Sequence, residues 1–109
     1  MNIEINTPPE GVKKWLTDYV KNKLVEIHHS YKNISGIHVS FKKHPFAGNI
    51  NKICEIEFVA YGDSLFIYKE ADNYENALRY AMNELSGRIN EWLKARNEPP
   101  DETTSTVYV

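Results

Sequence analysis

Apolar and polar residues alternate, switch to a helical period, alternate three more times, and turn helical again. Ile3 and Ile5 flank Glu4 in a short first strand. Val12, Trp15, Leu16, Tyr19, Val20, Leu24 and Ile27 then recur at helical spacing, which predicts an amphipathic helix reaching about Ser30. Thr7-Pro8-Pro9-Glu10 has the form of a capping box, with Thr7 as N-cap, Pro8 as first helical residue and Glu10 closing the box. Ile37, Val39 and Phe41 alternate with polar residues in a second strand. Cys54, Ile56, Phe58 and Ala60 do so in a third. Between these strands, Lys43 to Asn51 carries Pro45 and Gly48 and is read as a loop.

Gly62-Asp63 is expected to form a two-residue type II′ hairpin turn. That turn sets Ala60 beside Leu65, Phe58 beside Ile67 and Val59 beside Phe66. A fourth strand then runs from Ser64 to about Ala71. Asp72-Asn73-Tyr74-Glu75 opens a second helix, with Asp72 expected to cap it. Tyr74, Ala77, Leu78, Ala81, Leu85, Ile89 and Trp92 mark its apolar stripe. Pro99-Pro100 stops it after about Arg96, and 97–109 reads as a disordered acidic and polar tail. The expectation is one α+β domain over 1–96, of β-α-β-β-β-α order. It is a two-layer sandwich with both helices on one face of a four-stranded sheet.

Charge changes the picture more than composition does. The net charge is −2, but residues 1–52 hold eight lysines against four acids, a net of +4. Residues 53–109 hold five cations against eleven acids, a net of −6. Any polyanion partner is therefore expected to meet the N-terminal half. Lys14, Lys21 and His28 repeat every seven residues on the outer face of the first helix, with Lys13 flanking. Lys42, Lys43, His44 and Lys52 surround the long loop, and Arg79 and Lys94 lie opposite the second helix's apolar stripe. A solvated helix surface and lysine protection of strand ends are the plainer explanations of the same residues.

Val59, Tyr61, Phe66 and Tyr68 are expected on the sheet face away from the helices. They form a candidate partner surface, including a homodimer formed sheet to sheet. Neighbouring Glu55, Glu57 and Glu70 disfavour RNA there. The single Cys54 and the four scattered histidines predict neither a disulfide nor a metal site. No nucleophile elbow, phosphate loop or zinc-protease motif occurs, so no enzyme activity and no cofactor is expected. No apolar run is long enough to span a membrane, no leader is read at the N-terminus, and a cytoplasmic location is expected.

Residues 57–77, EFVAYGDSLFIYKEADNYENA, carry a resemblance. Strand, tight glycine turn, strand and an Asp-x-Tyr-x-x-Ala helix opening (Asp72, Tyr74, Ala77) are similar to the ribosome hibernation-promoting factor / ribosome-associated inhibitor family, also called the sigma-54 modulation protein family. A short strand, a long helix ending near Tyr31 and an Ile-x-Val-x-Phe strand extend the likeness over about 1–96, as in a divergent short form. The resemblance implies a non-enzymatic factor that binds the small ribosomal subunit near the decoding region and inhibits translation in resting cells. It also implies that basic residues on the outer helix faces contact ribosomal RNA. Lys13, Lys14, Lys21, Lys42, Lys43, Arg79 and Lys94 are the candidates here. The second helix has few cations, so the alternative is a diverged member acting as a protein-interaction or homodimer domain without ribosome binding.

Overall fold

A computed structural model describes residues 2–31, 34–45 and 48–95, apart from the Leu93 side chain. The expected tail, 97–109, lies outside the described residues. The elements are β1 (Asn2–Asn6), α1 (Lys14–Ser30), β2 (Ile34–Lys43), β3 (Lys52–Ala60), β4 (Asp63–Ala71) and α2 (Tyr74–Ala95). The strands form one sheet in the order β1-β2-β3-β4. β1 runs parallel to β2, and the other two pairs are antiparallel. This is the expected α+β order.

The core follows from strand alternation. Ile37, Val39 and Phe41 of β2, Cys54, Ile56, Phe58 and Ala60 of β3, and Leu65 and Ile67 of β4 are buried beneath the helices. From above, α1 buries Leu16, Val20 and Leu24, and α2 buries Ala77, Leu78, Ala81, Leu85 and Ile89. Burial is favourable by roughly 1.5–3 kcal/mol for each large aliphatic side chain. Trp92 closes one end, edge-on to Phe58 with ring centroids 5.7 Å apart. Tyr74 closes the other, edge-on to Phe41 at 5.8 Å.

Three local expectations are corrected. The first helix starts at Lys14, and Thr7 does not cap it. Pro8 through Gly11 form a turn, with the Gly11 N–H donating to the Pro8 carbonyl at 2.8 Å. Gly11 sits at φ 78°, outside the helical region, so no helix can pass through it. Glu10 is diverted to accept a hydrogen bond from the Tyr74 hydroxyl at 3.3 Å.

The hairpin loop is Tyr61-Gly62, with φ of 56° and 74°, which is the type I′ signature of two positive φ values. Ala60 therefore pairs with Asp63, Phe58 with Leu65 and Ile56 with Ile67, two residues from the expected register. A shift of two preserves the faces of β4. It does move Tyr61 off the strand and into the turn, where its ring lies edge-on to Trp92 at 6.3 Å.

The cap of α2 is Asn73, whose Oδ1 accepts from the Asn76 N–H at 2.7 Å. Asp72 instead accepts from the side-chain amides of Asn73 and Asn76 and steadies the cap.

Candidate nucleic-acid interface

The strand directions bring both helix N-termini to one end of the molecule, where β2 ends and β3 begins. Lys43 and Lys52 are register partners there. Lys13 reaches across from α1 to the first turn of α2, with its Nζ 3.6 Å from a Glu75 carboxylate oxygen. Lys14 pairs with Asp18 one turn on, at 2.9 Å. Both lysines stay exposed, at 71% and 86%, so these pairs hold them weakly. The N-terminal ends of the two helix dipoles add partial positive charge to the same end. Lys52 donates to Asn51 Oδ1 at 2.7 Å and lies 5.9 Å from the Tyr74 ring centre. Burial, followed by the nearby Glu10 carboxylate, pushes the Tyr74 hydroxyl up to about 12.

The seven candidate cations do not form one patch. Lys13, Lys14 and Lys43 share the helix-start end. Lys21 is exposed further along α1, and Lys94 stands at the far end of α2. Arg79 borders the groove between the helices, hydrogen-bonded to Asn76 Oδ1 at 2.6 Å. Lys42 lies on the opposite side of the sheet. Its ammonium is 2.7 Å from Glu55, whose side chain is only 20% exposed, so it is held there. Among the described residues, Lys21, Lys43, Arg79 and Lys94 have no carboxylate partner.

The inter-helix groove was not foreseen. It encloses about 280 Å³ between Trp15, Leu16 and Tyr19 of α1 and Glu75, Asn76, Leu78 and Arg79 of α2. Trp15 is 51% exposed, although the sequence period placed it in the apolar stripe. The signal was present, since a stripe running from Trp15 through Tyr19 beside Leu16 and Val20 is wider than one buried face needs.

The open sheet face is acidic. Glu4, Glu55, Glu57 and Glu70 share it with Lys42, a net of −3. His38 faces Glu57 at 3.4 Å. Of the expected partner surface, Val59, Phe66 and Tyr68 lie on this face and Tyr61 does not. Phe66 and Tyr68 are exposed, on the edge strand β4. Tyr68 titrates above its ordinary value, through desolvation first and then the Glu70 carboxylate. The α1 layer from Lys13 to Ser30 carries four lysines against two acids, a net of +2. Cys54 is buried in the core, and burial pushes its thiol up to about 12. Among the described residues, no three His, Cys, Asp or Glu side chains converge as metal ligands. No described helix is long and apolar enough to cross a membrane.

Solved structures share this fold. A ribosomal subunit interface protein from Coxiella burnetii superposes with a TM-score of 0.68, over 84% of this chain and 97% of that one, at 20% identity. The N-terminal domain of Protein Y from Thermus thermophilus gives 0.66, over 84% and 99%, at 19% identity. The chain has their fold. At these identities the likeness is one of architecture. No family model matches the chain, and no curated protein matches it.

Proposed function

We propose that this chain is a ribosome-associated factor that lays its helical face on small-subunit ribosomal RNA, in the decoding region, and inhibits translation or promotes hibernation. One observation carries this reading: among the described residues, the cations without a carboxylate partner lie on the helix side or at the strand end beside it, while the open sheet face is acidic. A domain polarised in this way meets RNA in one orientation, with its carboxylates turned away from phosphate. The shared fold with a ribosomal subunit interface protein supports the choice of partner. Non-enzymatic action and a cytoplasmic site follow from the same reading.

Co-sedimentation with purified small subunits tests it. Lys21→Glu with Lys43→Glu should reduce the bound fraction strongly, and Lys42→Glu should leave it near wild type. Equal losses from both, or no binding by the wild type, would overturn the proposed face.

A further inference from the structure

We propose that the chain associates with a second copy of itself edge to edge through β4, extending the sheet across a two-fold axis at Ile67. Among the described residues β4 is a free edge of nine residues, without proline, glycine or a register shift against β3. Exposed edges of that length are normally blunted by bulges, prolines or free lysines. The lysine here, Lys69, is turned to the helix side and tied to Glu84 of its own α2.

The outward-facing backbone of β4 has a definite pattern. Ala60 and Asp63 flank a two-residue loop and form its hydrogen-bonded pair. Odd-numbered residues of β4 therefore bond to β3. The backbone groups of Ser64, Phe66, Tyr68 and Glu70 point outward, and of these the Ser64 N–H already donates to Asp63 Oδ1 at 2.8 Å. An antiparallel second β4 centred on Ile67 overlaps the whole strand and presents these same residues. Phe66 of each copy then faces Tyr68 of the other, and Ser64 faces Glu70. No charge directly faces its like, and about six ladder hydrogen bonds form, since the Ser64 N–H of each copy is held by its own Asp63.

Apolar exposure agrees in both layers. Phe66 is 54% and Tyr68 43% exposed beneath the sheet, while Tyr80, 45% exposed, lies one helical turn before Glu84, which stands over Lys69 of the same edge. Because α2 packs over β3 and β4, edge pairing sets two copies of α2 about 10 Å apart, close to ordinary helix packing distance. Face-to-face stacking of the open sheets is disfavoured, because it opposes two surfaces of net −3.

Sedimentation equilibrium of the full chain across the micromolar range tests this. The expected species has twice the 12.7 kDa chain mass and resists salt. Phe66→Lys with Tyr68→Lys should return it to 12.7 kDa while circular dichroism stays unchanged. The register is tested without destabilising charges. Phe66→Cys and Tyr68→Cys chains, oxidised separately, should not cross-link through these positions, whereas an equal mixture should. A monomer at every concentration overturns the proposal, and slow amide exchange along β4 in that monomer points to the edge being covered by the chain's own residues 96–109. A dimer that survives the double lysine variant, or a mixture that fails to cross-link, overturns it also.

Discussion

At the scale of single residues, Cys54 couples burial to pH. Its thiol titrates near 9 when solvated and is pushed to about 12 by burial in the folded chain. Between those values the folded protein holds a proton that the unfolded chain releases. The stabilising contribution is therefore complete below pH 9 and declines as pH rises toward 12. Cys54→Ala should cost about 1 kcal/mol at neutral pH. That cost should shrink above pH 9, as read from urea midpoints of wild type and variant at each pH. A constant difference would mean that the thiol is not protected by burial. The cap of α2 makes a second residue-scale contrast. Asn73→Ala removes the acceptor of a backbone N–H and should cost about 1 kcal/mol in urea unfolding. Asp72→Ala removes only contacts to exposed side-chain amides and should cost less. The reverse order would restore Asp72 as the cap.

At the scale of elements, alternation made the strands legible because a period of two assigns each face without knowledge of the partner strand. That is why Ile56, Phe58, Leu65 and Ile67 were placed correctly although the β3-β4 register was missed by two residues. The missed signal was the turn. A Gly62-Asp63 loop and a Tyr61-Gly62 loop differ only in whether tyrosine accepts a positive φ, and packing against Trp92 offsets that strain. The start of α1 was misread for a related reason. Thr7 to Glu10 satisfies a local capping pattern, but the turn closed at Gly11 and the Tyr74–Glu10 hydrogen bond bridges 64 residues of sequence. Gly11 tests this account directly. A Cβ there meets nothing within 4 Å, so Gly11→Ala should cost only the left-handed backbone penalty, about 1–2 kcal/mol. Thermal unfolding measures it. A neutral or stabilising result would mean that the helix can begin earlier.

At the scale of the whole molecule, the candidate site was legible only in part. A helical wheel shows that Lys14 and Lys21 face outward and that Asp18 can reach Lys14. It does not show that Lys13 meets Glu75 of α2 or that Lys42 is turned to the acidic sheet face beside Glu55. Those pairings arise from topology, which sets strand order and helix direction. They also make the salt dependence of the proposed ribosome binding a quantitative test. Each phosphate contact contributes about −0.7 to −0.9 to the slope of log affinity against log salt. With Lys21, Lys43, Arg79 and Lys94 engaged, the slope for small-subunit binding should be about −3. It should steepen toward about −5 if Lys13 and Lys14 exchange their exposed carboxylate partners for phosphate. Lys21→Gln should flatten the slope by about 0.8, and Lys42→Gln should leave it unchanged. Filter binding at several salt concentrations reads all three values. A flat slope would mean that phosphate neutralisation does not drive the contact, and a loss on Lys42→Gln with none on Lys21→Gln would mean that the sheet face, rather than the helices, meets the RNA.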